Sequence, residues 1–384
     1  MGMKAFTFDG SHTWLLQVPM MIFPFELYFA LMNRLNHAFS PHAVNNIMYE
    51  LGRKHGWNGT EIYFKKFNIR PQVSDFSFFM EQTKMLGYGN LSILDLKSDH
   101  KQFRLRHDST FAKLVLKNHG KQPYSVDSFT LGLATGAGGL ILDLRDPVGL
   151  ETTCVAKGDL NCEYLVSEGS QAYTQEKENA TFPVDLLENY TLKQLVNSFP
   201  HRSGDRNYAL FSKLQQRSLN SLKLTDEGIK IGPLTGMTTP MIVICYLVEL
   251  LRKEFGLAKT NGLLYEVGKD EGIRSLDYLR SVGLEINRVE GVKIIPELLS
   301  FYGFGNGFAI QASTNRIIIR LFDNSFAITR SSIFGPSKEV DDYFIAGFLA
   351  GGYSKLFGKG FEFKETACAR ENNKQCLFEG SPSA

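Results

Sequence analysis

Glu151-Thr-Thr-Cys154 is followed by Cys162, and Glu365-Thr-Ala-Cys368 by Cys376, so one carboxylate–thiol–thiol spacing occurs twice. The two copies use four of the five cysteines in 384 residues. Two sulfurs and one carboxylate supply three of the four ligands of a tetrahedral zinc site. The plain alternative is that two cysteines on neighbouring strands are small buried hydrophobes. Packing alone, however, does not ask for a glutamate three residues before the thiol in both copies. A regular strand puts Glu and Cys of Glu-x2-Cys on opposite faces, so ligation requires a bulge or a strand end there. Between the thiols, Gly158-Asp159 gives a turn that returns Cys162 beside Cys154, and Asn372-Asn373 take the turning role in the second copy.

The elements that must position these residues are duplicated as well. Pro24 and Pro240 are 216 residues apart, each opening an apolar helical stretch (Phe25 to Leu35, Met241 to Leu251). Tyr49-Glu50-Leu51-Gly52 answers Tyr265-Glu266-Val267-Gly268, Gly56 answers Gly272, and Gly87-Tyr88-Gly89-Asn90 answers Gly303-Phe304-Gly305-Asn306, all at that offset. Asp108 and Asp323, Gly132 and Gly347, and Gly136 and Gly351 are 215 apart, and Glu151 and Glu365 are 214 apart. Two single-residue length changes explain the drift. The chain reads as residues 1–166 and 227–380, two versions of one domain, separated by a polar linker at 167–226. The linker carries amphipathic pieces, Leu186 to Phe199 and Tyr208 to Leu222.

Within the first copy, Ala5 to Trp14 predicts a hairpin turned at Asp9-Gly10. The Pro24 helix is followed by a second, where Val44, Ile47, Met48 and Leu51 form one stripe; Thr260, Leu263, Leu264 and Val267 hold the same places in the second copy. A third helix, Phe76 to Leu86, stops at Gly87. Leu91 to Leu96, Phe103 to Leu105 and Phe111 to Leu116 read as strands. A glycine-spaced helix, Asp127 to about Leu142, leads to final strands Val148 to Cys154 and Cys162 to Val166. Gly132-x3-Gly136 and Gly347-x3-Gly351 put their glycines on one helix face, which suits close backbone approach. Thr135-Gly-Ala-Gly-Gly139 lacks the Gly-Lys-Ser/Thr ending of a phosphate loop. His55, His107 and His201 have no counterparts, so a shared catalytic histidine is not expected. Tyr49-Glu50 and Tyr265-Glu266 suit either a pocket lining or, the favoured reading, helix-surface pairs, and Cys245, among Ile242, Val243 and Leu247, reads as core. The expected fold class is α+β: two tandem two-layer domains, each an antiparallel sheet packed on helices, paired as an intramolecular pseudo-dimer.

A net charge of +2 shows no commitment to nucleic acid or anionic lipid. Asp9 and His12 stand ahead of any apolar run, unlike a signal peptide. Met20 to Met32 and Met237 to Leu251, interrupted by Glu26 and Glu249, fall short of the roughly 20 apolar residues that span a membrane. Reduced thiols and a cytoplasmic location are the resulting expectation.

The set Gly132-Leu-Ala-Thr-Gly136, Glu151-Thr-Thr-Cys154, Cys162-Glu-Tyr164, with Gly347-Phe-Leu-Ala-Gly351, Glu365-Thr-Ala-Cys368, Cys376-Leu-Phe378 and Tyr49-Glu50-x-Gly52-x3-Gly56, resembles the 4-vinyl reductase domain. That family is similar to the effector-sensing domains of aromatic-responsive transcription activators and to vesicle-tethering subunits that hold an acyl chain. The resemblance implies an apolar cavity in each copy. It also implies a zinc held by Glu151, Cys154 and Cys162, by Glu365, Cys368 and Cys376, and by one further cysteine before the glycine-spaced helix. At that further position this chain has Asp127 and Asp342. Aspartate can ligate zinc, and it is equally a helix N-cap. Two thiolates and two carboxylates would leave a net negative site, with Lys157, Lys364 and Arg370 nearby in sequence to offset it.

The leading functional expectation is non-catalytic binding of a hydrophobic or aromatic small molecule or a lipid, with a protein partner for output. The alternatives are a reductase of a tetrapyrrole vinyl group and a structural adaptor. The chain has no Gly-x-Gly-x2-Gly opening a βαβ unit and no iron–sulfur cysteine run, so a reductase would depend on an external electron donor.

Overall fold

A computed structural model describes residues 6–8, 13–15, 18–68, 70–97, 101–169, 187, 222–225, 228–231, 234–336, 342–368 and 375–383. The first half comprises β1 (Phe6–Phe8), β2 (Thr13–Leu15), β3 (Val18–Pro24), α1 (Phe25–Ala38), α2 (Pro41–Phe67) and α3 (Phe76–Met85). It continues with β4 (Asn90–Lys97), β5 (Gln102–Asp108), α4 (Thr110–His119), α5 (Ser128–Ile141), β6 (Pro147–Thr153) and β7 (Cys162–Glu168). The second half repeats this order: β8 (Leu222–Thr225), β9 (Gly228–Ile231), β10 (Leu234–Pro240), α6 (Met241–Phe255), α7 (Leu257–Ser281) and α8 (Arg288–Tyr302). It closes with β11 (Asn306–Ala312), β12 (Ile317–Phe322), α9 (Ser325–Phe334), α10 (Tyr343–Phe357), β13 (Phe361–Ala367) and β14 (Gln375–Pro382). The protein is thus an α+β fold in two similar halves. No helix among the described residues is long and apolar enough to cross a membrane.

Each half has a four-stranded antiparallel sheet, in the order β4-β5-β7-β6 and β11-β12-β14-β13. A third sheet, β1-β2-β3-β10-β9-β8, joins the halves through antiparallel pairing of β3 with β10. Its register carries the duplication into space. Ile22 and Thr238 lie directly opposite each other, and they are related by the same 216-residue offset as Pro24 and Pro240. The pseudo-twofold axis therefore passes through that pair. Phe39 and Phe255 stack across the junction at 3.6 Å, Lys259 Nζ donates to the Ala38 carbonyl at 2.7 Å, and Arg34 pairs with Asp270.

The helix stripes and glycines explain the layer behind the sheets. Val44, Ile47, Met48 and Leu51 are fully or nearly buried, as are Thr260, Leu264 and Val267. Gly132 and Gly136 of α5 press on the Tyr49 and Arg53 carbonyls of α2, while Gly52 and Gly56 press back on Phe129 and Leu133. Gly347, Gly351, Gly268 and Gly272 reproduce the arrangement between α10 and α7. A Cβ at any of these eight positions would fall far inside van der Waals contact with backbone, so side-chain-free faces set the helix spacing.

One expected strand is corrected. Phe111 to Leu116 belongs to helix α4, where Ser109 Oγ accepts from the Ala112 N–H at 3.0 Å as the N-cap and Phe111, Ala112 and Val115 face the core. The predicted meander is therefore two strand pairs separated by two helices. The first hairpin is present as β1–β2, with its Asp9-Gly10 turn outside the described residues. β8 lies within the stretch read as linker, and the expected amphipathic pieces lie outside the described residues except for Leu187 and for Leu222, which opens β8.

Candidate functional site

Both sulfur corners form because both closing hairpins are bulged where the ligand spacing requires it. The β6–β7 register shifts between Glu151 and Thr153, and the β13–β14 register shifts between Glu365 and Ala367. The extra residue moves Glu and Cys to one side. One ligand atom each from Glu151, Cys154 and Cys162 then lies within 4.8 Å of the others, and the same holds for Glu365, Cys368 and Cys376. In the first hairpin the turn is pinned by Asp159, whose carboxylate accepts from the Cys154 N–H at 2.8 Å, and by Gly158 at φ 103°. Its counterpart at 369–374, including Asn372, Asn373 and Arg370, lies outside the described residues.

Asp127 and Asp342 join these groups. Each occupies the residue preceding its helix, yet neither side chain makes a capping hydrogen bond. The carboxylates turn inward instead, placing Asp127 Oδ2 3.7 Å from Cys162 Sγ and Asp342 Oδ2 3.9 Å from Cys376 Sγ. Both aspartates are buried. Lys157 and Lys364 are exposed, so the expected offset of negative charge by these side chains would be screened by water.

The electrostatics follow from crowding acids away from water. Burial, and then the charges of Cys154 and Asp127, push the Glu151 carboxyl well above its ordinary range. Both Glu151 oxygens are buried without a hydrogen bond of good geometry. A hydrogen bond from Cys162 pulls Cys154 down to about 7, and that bond together with burial raises Cys162. Burial raises Cys376 as well, reinforced by Cys368. The backbone Val155 N–H also points at Cys162 Sγ, at 3.3 Å.

Around matching corners the two halves carry different side chains. In the first, His107 Nδ1 bonds Tyr164 Oη at 2.6 Å and lies 3.6 Å from Asp127 Oδ2, while its Nε2 reaches the Tyr88 carbonyl at 2.7 Å. The corresponding residues of the second half are Phe322, Phe378 and Phe304. Ser109 is replaced by Asn324, whose Oδ1 caps α9 and whose Nδ2 therefore faces inward, donating to Asp342 and to Cys376 Sγ at 3.2 Å.

Beside the second corner lies an apolar cavity of about 40 Å³. It is walled by β3 and α1 of the first half (Phe23, Leu31), by α6 (Ile244, Leu251) and by the start of α10 (Phe344), and Asp342 is its one polar lining residue. Reading one copy at a time could not find it, because the wall crosses the junction. The paired tyrosines were also misplaced by sequence: Tyr49 Oη accepts from the Gly149 N–H at 2.8 Å and Tyr265 Oη from Phe363 N–H at 3.3 Å, tying α2 and α7 to the closing hairpins. Cys245 is core, fully buried as expected.

No family model matches the sequence, and no curated protein matches it. Among solved structures, the phenol-responsive sensory domain of the transcription activator PoxR, with phenol, aligns at TM-score 0.41 and 16% identity, over 45% of this chain and 90% of that one. A trafficking protein particle complex subunit 3 from Naegleria fowleri, covalently bound to palmitic acid, aligns at 0.30 and 16%, over 38% and 93%. A vinyl-4-reductase family protein from Methanocaldococcus jannaschii aligns at 0.24 and 15%, over 56% and 100%. At these scores the likeness is coarse, and the architecture is read from this chain's own strand order and pairing.

Proposed function

We propose that the chain is a non-catalytic binding protein for a small apolar molecule, with structural zinc as the group suited to its sulfur corners. The observation that carries the binding reading is the cavity at the junction, whose lining is apolar except for one buried carboxylate. Such a composition, with one placed polar group, suits recognition of a largely hydrophobic ligand. Output to a separate protein partner belongs to the same reading.

The corners fit zinc by their donor chemistry. Each gathers two sulfurs, a glutamate and an inward-turned aspartate, and the Glu151 oxygens are buried without a hydrogen bond of good geometry. Zinc takes sulfur and oxygen ligands at about 2.0–2.3 Å, and four protein ligands leave no open position, so it would supply structure rather than chemistry. Asp127, Glu151, Cys154 and Cys162 would hold one ion, and Asp342, Glu365, Cys368 and Cys376 another. The first corner is the better suited, since Asn324 already donates to two of the second corner's prospective ligands.

Native mass spectrometry of the purified chain, before and after chelation, tests both parts. A retained colourless apolar molecule and bound zinc are expected, with Cys154→Ser and Cys368→Ser each removing metal from its own corner. Full metal retention in both variants would discard the corners as drawn. A visible tetrapyrrole band would favour the reductase, and protein free of any ligand the adaptor.

A further inference from the structure

We infer that zinc is a conditional tie in this protein, needed by one half and dispensable to the other. It fastens the start of α5 to the closing hairpin of the first half. In the second half the Asn324 amide does that work from within the chain, so zinc supply governs the firmness of the first half alone. This rests on the zinc reading of the corners and adds which half depends on the ion, and why.

The tie is needed at the same place in both halves. Each corner is where the residue before the glycine-spaced helix meets the end of one strand and the start of the next. In the first half those are Asp127, then Glu151 with Cys154, then Cys162; in the second they are Asp342, Glu365 with Cys368, and Cys376. Whatever joins these side chains holds helix and hairpin together.

The second half closes this junction with its own donors. Asp342 N–H donates to Glu365 Oε2 at 3.1 Å, joining α10 to β13. Asn324 is fully buried, and its Nδ2 donates to Asp342 and to Cys376 Sγ at 3.2 Å, joining α9 to α10 and β14. Its Oδ1 accepts from the Phe326 and Ala327 N–H groups at 3.1 and 3.2 Å. A carboxamide has two hydrogens and one acceptor oxygen, and here all are engaged. The amide cannot swing away without breaking the cap of α9.

The first half lacks these ties. Ser109 stands in the place of Asn324, and its Oγ accepts from the Ala112 N–H at 3.0 Å. A hydroxyl has a single hydrogen, so it cannot donate to two ligands at once. Neither Glu151 oxygen accepts a hydrogen bond of good geometry, so the Asp342–Glu365 bond has no counterpart. Asp127 Oδ2 has Cys162 Sγ at 3.7 Å and His107 Nδ1 at 3.6 Å. The shorter bonds nearby, Cys154 N–H to Asp159 and Gln122 N–H to the Ala156 carbonyl, both 2.8 Å, end on neither Glu151 nor Asp127. Buried acceptors short of donors are what a dication with sulfur and oxygen ligands satisfies. What the amide supplies at one corner is left to a metal ion at the other.

The test follows the whole chain, zinc-loaded and then treated with EDTA, by hydrogen–deuterium exchange, with zinc content read by native mass spectrometry. Chelation should speed amide exchange at least about tenfold in β6, β7 and the first turn of α5, the factor for one charge-assisted bond. Exchange in β13, β14 and the first turn of α10 should not change. One equivalent of zinc returned to the apoprotein should restore protection in the first half. Ser109→Asn should make that half indifferent to chelation, and Asn324→Ser should make the second half respond to it. Equal loss of protection in both halves, or loss in the second alone, would overturn the inference and leave zinc binding intact. Loss in neither half of a protein shown to hold zinc would do the same. A zinc-replete preparation that holds no zinc would remove the reading beneath it as well. Should Asn324→Ser fail to fold, the wild-type exchange map and Ser109→Asn still decide the matter.

Discussion

The two halves share a backbone and differ in what surrounds the corner. Bulged hairpins, interlocked glycines and an inward-turned aspartate recur in both. Around them, the first half has His107 bonded to the Tyr164 hydroxyl and the Tyr88 hydroxyl bonded to Thr239, where the second has phenylalanine in place of all three. Duplication therefore preserved the parts that fix strand and helix positions and released the parts that fill the space between them. Polar side chains that satisfy one another stiffen one half. The other exchanged them for apolar groups and a cavity that reaches across the junction.

The strongest test of shared scaffolding is to block it in one half at a time. Gly136→Ala would drive a methyl into the Arg53 carbonyl, and Gly351→Ala into the Lys269 carbonyl. Overpacking of this kind costs on the order of 3 kcal/mol or more when the obstacle is backbone. Nearly equal losses are expected in urea unfolding. A large loss from one substitution and almost none from the other would show that the halves do not rely on the same contact.

Position 55 and its counterpart 271 give opposite pH responses. Burial lowers His55 from 6.5 to about 4. The unfolded chain therefore takes up a proton between pH 6.5 and 4 where the folded chain does not, and stability falls on acidification, by about 3 kcal/mol at the acid end. Glu271 is buried and raised above 4.5 by desolvation, although Arg274 and Tyr302 bond it at 2.9 and 2.6 Å. The folded chain keeps its proton above pH 4.5 where the unfolded chain has released it, so this residue lowers stability as pH rises. Unfolding free energies from pH 4 to 7 should lose the acid-side slope in His55→Gln. Glu271→Gln should lose the opposing one. An unchanged slope in His55→Gln would mean the imidazole is not held neutral.

One difference between the corners themselves is the Asn324 amide. Asn324→Ser installs the residue found at the first corner, Ser109, and keeps an N-cap for α9. Removing the Nδ2 donor from Asp342 and Cys376 should raise zinc affinity at the second corner by about tenfold, the equivalent of one charge-assisted hydrogen bond. Competition against a colorimetric chelator measures it. Unchanged affinity would show that the amide does not compete with metal.

What the chain disclosed before folding was mainly what repeats along it. The 216-residue offset gave two α+β units, and it reappears as the Ile22–Thr238 pair. The Glu-x2-Cys geometry called for a bulge, and both hairpins have one. Phe111 to Leu116 was misread because a six-residue apolar run suits a strand or a buried helix face equally, and only the Ser109 cap decides. Asp127 and Asp342 stayed ambiguous between cap and corner because both roles begin at the same residue. The cavity was hidden for another reason: residues as far apart as Phe23 and Phe344 line it.

The smallest expected difference concerns the tyrosines that hold each closing hairpin to its long helix. Tyr49 Oη lies 2.8 Å from the Gly149 nitrogen, and Tyr265 Oη lies 3.3 Å from that of Phe363. Tyr→Phe leaves the ring in place and strands one backbone N–H, at a cost of about 1 kcal/mol for a good bond and less for a long one. Tyr49→Phe should therefore cost about 1 kcal/mol in urea unfolding, and Tyr265→Phe roughly half of that. Burial points the same way, since it pushes Tyr49 up to about 12, a hydroxyl well removed from water. If the second substitution proves the costlier, the hairpin of the cavity-bearing half is held more firmly than its hydrogen-bond length indicates. Reshaping of the cavity could then not proceed by movement of β13.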